Sequence, residues 1–328
     1  MITIVIKMGI RDLNKVLRNK CKNSTKIISL ADLSGKIIAV DILNYLFKYA
    51  ADETLIENIF LMISIFYYYK ITPIFIFDGK SPPEKKELLI KKLICKQEAK
   101  KEFEILKLKL QNCDIKEESK KEILLNMDHL KKSFVSLQKE QIDKVKQLIR
   151  SYGAIYIEAP REAEELCAML VLKNKVWACL SEDTDLFVYG CSRVLRYFSL
   201  LNHTAVLYDM DNILFELGLS QKQFREICIL SGTDYNVSHS NYCLEKLFIL
   251  YKKYLSLSNS SLSFCDWIKI DNNNLEKINN IFDLSIYTNP INTFVNENDN
   301  DFQNGTINNK KVREILEEDG FLFAKKIN

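Results

Sequence analysis

VWACLSEDTD, residues 176–185, is an apolar run that passes without a break into two aspartates, Asp183 and Asp185. Its five leading residues, with no polar alternation, suit a strand covered on both faces, as in a parallel sheet. Three more runs share that character: IIAVD at 37–41, PIFIFD at 73–78 and AIYIEA at 154–159. Helical patterns lie between them at 43–70, 84–150 and 161–173, the last behind Pro160 at a helix start. Strands alternating with helices predict an α/β fold, a doubly wound, mostly parallel sheet with helices on both faces.

The acids fall where such a sheet holds its ligands. Asp41 ends the first strand, Asp78 ends the second, and Asp183 and Asp185 follow the fourth. In open α/β sheets the binding crevice lies at the carboxyl ends of the strands. Glu162 and Glu164 open the helix behind Pro160, where the helix dipole favours anions. Asp234 stands in the turn Ser231-Gly232-Thr233-Asp234-Tyr235. Any one of these reads as a cap or a surface charge; three strands delivering acids to one edge read as a site. Gathered carboxylates repel one another unless cations neutralise them, and an all-oxygen set suits Mg²⁺ or Mn²⁺. Two such ions ~4 Å apart can activate a water and stabilise the leaving oxygen of a phosphodiester. Residues i and i+2 of a regular helix face different ways. Glu162 and Glu164 therefore share a site only through an irregular first turn or a bridging water, with Glu164 favoured as the direct ligand.

Bulk composition narrows the class. The chain has 328 residues, 47% hydrophobic and 27% charged, ordinary for a globular protein with ample core. Its nine cysteines stand singly, with no C-x-x-C pair, and the three histidines (His129, His203, His239) lie near no cysteine pair. That speaks against a zinc site and for reduced thiols in an intracellular setting, nucleus or cytoplasm. The longest apolar stretch, 59–69, is too short for a bilayer span of ~20 residues, so no membrane is expected. The opening MITIVIK is too short for a secretory core.

One segment departs from the rest. Residues 84–150 hold 18 Lys/Arg against 12 Asp/Glu, a net of +6, while the whole chain is +3, so the remainder sums to −3. A basic helical insertion in a slightly acidic body reads either as a solvated hairpin or as a guide for a phosphate backbone. Beyond residue 256 the pattern weakens. Residues 256–263 are Ser-rich and 289–309 rich in Asn and Asp, as in loops, and an amphipathic piece at 312–323 is expected to dock back on the body.

Six motifs in order carry a family resemblance. MGIRDL at 8–13, IIAVD at 37–41 and FDGKSPPEKK at 77–86 resemble the amino-terminal region of flap endonucleases and their XPG relatives. EAPREAEELCAML at 158–170, SEDTDLFVYG at 181–190 and ILSGTDY at 229–235 resemble the internal region of that family. The resemblance spans 8–235, and the weak carboxy-terminal third resembles the divergent versions carried by large DNA viruses. It implies a PIN-like sheet with a long helical arch insertion and a helical C-terminal region. It divides the chain into an N-terminal nuclease region at 8–95, an arch at 84–150, an internal nuclease region at 151–235 and a degenerate helix-hairpin-helix with a poorly defined end at 236–328.

The resemblance implies seven metal-site acids at Asp41, Asp78, Glu162, Glu164, Asp183, Asp185 and Asp234. These would hold two Mg²⁺, with Mn²⁺ able to substitute, and Asp183 would be central to catalysis. Lys85 and Lys92 match the basic side chains that the family sets against the scissile phosphate. Lys92 stands where cellular members carry Arg and so lacks the bidentate fork. Phe47 matches an aromatic that stacks on a terminal base, with Tyr45 the near alternative; both could equally be core. The implied partner is DNA with a 5′ flap or branch, threaded through the arch and selected by structure, not sequence.

Three departures qualify the expectation. Seven residues precede the Met8-Gly9 at which family members open, so either Met8 is the start or MITIVIK crowds the site. Residues 236–251 contain no glycine where a glycine-rich hairpin grips duplex and K⁺. No Q-x-x-[ILM]-x-x-[FY]-[FY] clamp-binding peptide is present near Phe321 and Phe323. The expected activity is metal-dependent hydrolysis of DNA phosphodiesters in replication, repair or recombination. The rivals are a non-cleaving DNA scaffold of the same fold and an RNA-directed nuclease.

Overall fold

The computed structural model describes residues 9–111, 117–236, 242–257, 262–270, 275–285 and 302–323. One seven-stranded sheet organises them: β1 (Thr25–Ser29), β2 (Ile37–Asp41), β3 (Thr72–Phe77), β4 (Ile155–Glu158), β5 (Ala178–Leu180), β6 (Arg193–Ser199) and β7 (Thr204–Asp209). Their order is β1-β7-β6-β5-β2-β3-β4. The five strands β6, β5, β2, β3 and β4 run parallel, and β7 and β1 extend the β6 edge antiparallel. The four expected strands are all present, within one or two residues of their expected ends. β1, β6 and β7 were not anticipated; their mixed polar and apolar residues, as in RVLRYFS, give no clean period.

Side chains of successive strand residues go to opposite faces, and the core divides accordingly. Ala39, Ile74, Ile76 and Cys179 face α1 (Leu13–Lys20), α7 (Ala163–Leu172), α8 (Asp185–Tyr189), α9 (Met210–Leu217) and α10 (Gln221–Ser231). Ile38, Val40, Phe75 and Leu180 face α2 (Leu43–Ala51), α3 (Leu55–Tyr68) and α6 (Lys139–Ser151). Helices thus cover both faces, as expected. The expected helix at 43–70 is two helices. Asp52, Glu53 and Thr54 break it, with Glu53 in the left-handed region at φ 59°.

The basic insertion is helical: α4 (Lys86–Leu110) and α5 (Glu117–Phe134) pack against each other, and α6 leads back into the sheet. No residue of α4 is buried. On the carboxy-terminal side, α11 (Leu244–Ser256), α12 (Phe264–Trp267) and α13 (Leu275–Phe282) extend the layer that α10 begins. The final helix, α14 (Asn309–Glu318), docks on the body as expected. Val312, Ile315 and Leu316 enter the core beside α6, and Gly305 and Asn308 donate backbone hydrogen bonds to Gly153 and Ser151 at 2.7 Å. MITIVIK and most of the Asn/Asp-rich stretch lie outside the described residues, as do 237–241 of the glycine-free segment. No helix among the described residues is long and apolar enough to cross a membrane.

Candidate active site

The parallel strands end together, and the acids leave from those ends. Asp41 closes β2, Asp78 follows β3, and Ser181-Glu182-Asp183-Thr184-Asp185 follows β5. The loop after β4 crosses that after β3 so closely that a Cβ on Gly79 would collide with the Ala159 carbonyl. Gly79 N–H donates to the Arg161 carbonyl at 2.7 Å, which locks the crossing. It also brings Asp78 over the start of α7, where its Oδ1 accepts from Ala163 N–H at 2.7 Å. Asp78 therefore caps a helix that its own strand does not precede, satisfying one orphan N–H.

The same cap settles the i, i+2 problem. Glu162 is the residue before the first helical turn of α7, with extended backbone (φ −95°, ψ 144°), so its side chain does not follow the helical rotation. Glu162 and Glu164 point to one cation, the ammonium of Lys85, at 2.6 and 3.1 Å. Lys85 closes a short 3-10 turn (Pro83–Lys85) and is 7% exposed. Its Nζ also lies 3.9 Å from Asp234 and 5.0 Å from the centre of the Tyr235 ring. Lys92, two turns along α4, reaches Asp234 at 3.5 Å. Asp234 is presented by a turn after α10, pinned by Asn236. The Asn236 Oδ1 accepts from Thr233 N–H at 2.9 Å, and its Nδ2 donates to the Ile229 carbonyl at 3.0 Å.

The fold thus gathers all seven acids. Six are buried, and Asp78 is exposed at the rim. Burial first, and then mutual repulsion, raises the proton affinity of several of them. Burial and Glu164 push Asp183 up to about 7, and burial and Glu164 push Glu162 up to about 8. Burial, with Asp78 and Glu164, holds Asp41 well above the usual carboxylate range; burial, with Asp183 and Asp234, does the same to Asp185. Glu164 goes the other way: burial raises it, but the charge and hydrogen bond of Lys85, with hydrogen bonds from the backbone and Glu162, together hold it below its ordinary value. Burial lowers Lys85, yet Glu164, Tyr235 and Glu162 outweigh it and leave the ammonium firmly charged. Lys85 and Lys92 reach Glu162, Glu164 and Asp234, which leaves Asp41, Asp78, Asp183 and Asp185 without a lysine contact among the described residues.

Divalent cations suit this donor set. Both carboxyl oxygens of Asp185 are buried, the residue being 1% exposed, and have no hydrogen-bond partner among the described residues. Such orphaned oxygens are costly unless a ligand takes them. The donors are carboxylate oxygens, as hard cations prefer. Among the described residues no three of these side chains are spaced to grip one ion as they stand; Lys85 sits among them instead.

Of the two aromatic candidates, Phe47 is half-buried, with the Lys96 ammonium 5.1 Å from its ring centre. Tyr45 is a correction. The residue is 2% exposed, its ring packed against Tyr49 and Phe198 at 6.1 and 6.3 Å, and so is core, out of reach of a stacking base. Several contributors escaped the sequence reading. Ser181 donates to Asp41 Oδ2 at 2.6 Å and accepts from Asp183 N–H at 3.0 Å, tying two acids together. Gly9, at φ 72°, lies where any Cβ would strike Thr184 and Asp183, so the chain entering α1 runs directly beside the acids. Tyr235, Tyr189 and Glu165 stand behind Glu162. Ser181, Tyr189, Tyr235 and Glu165 lie inside the quoted motifs, but nothing in their spacing marks them.

Known proteins share this arrangement of sequence and fold. Residues 8–99 match the family model for the XPG N-terminal domain, and 153–234 match that for the XPG I-region. Flap endonuclease 1 of Entamoeba histolytica is 34% identical over 285 residues, covering 81% of this chain and 73% of that protein. Flap endonuclease 1 of Methanococcus aeolicus is 29% identical over 273 residues, 78% of each. Among solved structures, the catalytic core of Rad2 in complex with DNA substrate superposes with a TM-score of 0.66 at 20% identity, covering 95% of this chain and 94% of that one. Human GEN1 in complex with Holliday junction DNA gives 0.59 at 21% identity, covering 95% of this chain and 73% of that one. At such identities the superpositions show the fold, and the 34% relative shows the family: the chain belongs to the flap endonuclease/XPG family.

Proposed function

We propose that this chain is a divalent-metal-dependent, structure-specific 5′ nuclease that hydrolyses DNA phosphodiesters at flaps or branches in replication, repair or recombination. The observation that carries this reading is the convergence of Asp41, Asp78, Glu162, Glu164, Asp183, Asp185 and Asp234 on one sheet edge beside Lys85. A protein that only bound DNA would gain nothing from seven clustered carboxylates beside phosphates. Membership of the family and DNA in complex with its structural neighbours Rad2 and GEN1 support DNA as the substrate.

The seven acids would hold two Mg²⁺ or Mn²⁺ ions, supplying Lewis acidity and a more acidic bound water. The protein's own groups do the rest. Lys85 and Lys92 neutralise the phosphate being cut and turn its phosphorus toward the acids. The basic α4–α5 hairpin, proposed as the arch of residues 84–150, draws in the 5′ strand by charge. Phe47 offers the aromatic face for a terminal base. In the reaction an oxygen of water bonds to phosphorus, the bond to the leaving nucleotide oxygen breaks, and that oxygen takes a proton. We assign this centre to the nuclease regions at 8–95 and 151–235, with 236–328 as a degenerate helix-hairpin-helix and C-terminal region. We place the activity inside the cell, in nucleus or cytoplasm.

Cleavage of 5′-labelled flap, nicked and single-stranded DNA in Mg²⁺, by wild type and Asp183→Ala, tests the reading. Metal-dependent cutting at the junction that disappears in the variant supports it. Tight DNA binding with no cutting in Mg²⁺ or Mn²⁺ would overturn it in favour of a scaffold, and cutting of RNA flaps alone would move the substrate to RNA.

A further inference from the structure

Helix α7 carries a second buried acid that the metal site does not use. Glu165 is fully buried, one residue past Glu164 and on another face of the helix. Its Oε1 meets Arg161 at 3.4 Å and accepts from the Tyr189 hydroxyl at 3.5 Å, while its Oε2 has no hydrogen-bond partner among the described residues. The Tyr189 hydroxyl in turn lies 3.3 Å from that of Tyr235, and the Tyr235 hydroxyl donates to Glu162 Oε2 at 2.7 Å. That same Oε2 takes the Lys85 ammonium at 2.6 Å. Four residues thus form one line, Glu165–Tyr189–Tyr235–Glu162, ending at the lysine.

Proton counting gives the line its order. Each tyrosine has one hydroxyl proton, and a bond to a carboxylate is the stronger use of it. Tyr235 gives its proton to Glu162 at 2.7 Å, the shortest of the three hydroxyl contacts in the line. Tyr189 can then donate only to the Tyr235 oxygen or to Glu165. Packing restrains both rings. Phe282 of α13, itself fully buried, packs on both, at 4.9 Å from the Tyr189 ring and 5.3 Å from that of Tyr235. Lys85 lies over the Tyr235 ring, so one side chain orients both members of the Glu162–Lys85 pair.

We propose that Tyr235, backed by Tyr189 and Glu165, is a positioning residue that fixes Glu162 and Lys85 relative to each other. With Oε2 engaged by both Tyr235 and Lys85, Oε1 is the oxygen that Glu162 turns to a cation or its water. Without the hydroxyl, Glu162 can rotate and draw Lys85 with it. The consequence for catalysis rests on the nuclease reading; the consequence for cation binding does not.

The test compares the full-length wild type with Tyr235→Phe, Tyr189→Phe and the double variant. Phe keeps both rings on Phe282, so thermal denaturation should change little. Three readouts are taken: Mn²⁺ affinity by calorimetric titration, single-turnover cleavage of 5′-flap DNA in Mg²⁺, and flap affinity by fluorescence anisotropy in Ca²⁺. Tyr235→Phe should weaken Mn²⁺ binding and slow the single turnover by about tenfold each, the low end for loss of a group behind a metal ligand. Flap affinity should stay within about twofold, a split that general loss of structure would not give. Tyr189→Phe should cost about threefold, and the double variant should be no worse than Tyr235→Phe, because groups in series do not add. Equal Mn²⁺ affinity in wild type and Tyr235→Phe, or fully additive losses, would overturn the proposal. If Tyr235→Phe fails to fold, Tyr189→Phe alone decides, and an unchanged Mn²⁺ affinity there is again fatal. A wild type that does not cut, but loses Mn²⁺ affinity on Tyr235→Phe, retains the positioning role and removes the nuclease.

Discussion

Helices α7 and α4 both serve the site, and they are opposites. Nine of the ten residues of α7 are buried, while α4 is 25 residues long with none buried. α7 packs against β2, β3, β5 and α8, and brings Glu162 and Glu164. α4 packs on α5 and carries Lys92, with Lys85 immediately before it. A helix apolar on all sides belongs to the interior, whereas one with few buried contacts is free to open locally at small cost. The acids are therefore held by the core, as is Lys85 in the buried turn before α4, whereas Lys92 is carried by a helix with no buried residue. The difference teaches a division of labour: a buried anionic centre is approached by an exposed basic arm that packs on α5 and touches the acids through Lys92.

The largest expected effect removes the centre. Asp183→Ala should lower cleavage on the order of 10³-fold or more, as for a principal member of a catalytic set, with flap binding in Ca²⁺ retained. Normal cleavage by this variant would mean that the rigid side is not the chemical side. Stability should divide along the same line. Leu166→Ala in α7, a fully buried position, should cost about 3 kcal/mol in urea denaturation, whereas Leu93→Ala in α4, 57% exposed, should stay within about 0.5 kcal/mol. Equal costs would erase the contrast between the helices.

The basic arm should matter to rate more than to fold. Lys85→Ala should slow single turnover by about 10²-fold and Lys92→Ala by about tenfold, the scale of removing one electrostatic stabiliser or less. Lys85→Arg should recover part of the loss because charge is kept. The mildest effect is a pH dependence. Asp183, at about 7, and Glu162, at about 8, hold protons in the folded state that the unfolded chain releases near its ordinary carboxylate values. The folded state thus binds more protons between roughly pH 4 and 8, so stability falls as pH rises across that window. In EDTA the melting temperature should drop by a few degrees from pH 5 to pH 8, and millimolar Mg²⁺ should restore it. A rising melting temperature over that range in EDTA would contradict the crowding of the acids.

Much of this was legible in the linear chain, unevenly. The four buried strands announced themselves because both faces are covered, which demands unbroken apolar runs such as PIFIFD. The antiparallel edge formed by β6, β7 and β1 stayed hidden. Its residues alternate only loosely, and a register shift between Arg196 and Ser199 interrupts the period. All seven acids were named beforehand because each follows a recognisable strand or helix signal. The helix break at 52–54 was missed, since Asp and Glu are tolerated within helices and no Gly or Pro marked the place. Tyr45 and Phe47 could not be separated by spacing: two positions apart on α2, they part company only when one face meets Phe198.

The sequence by itself determined the α/β class, the family and the identities of the acids, because strand and helix periodicity and ordered motifs are properties of neighbours along the chain. Only the tertiary structure decided that Asp78 caps α7, that the extended backbone at Glu162 turns it with Glu164 onto Lys85, and that Glu165 joins the site through two tyrosines. Those contacts join residues tens of positions apart, and their partners are chosen by burial and by the few polar atoms within reach once the core has closed.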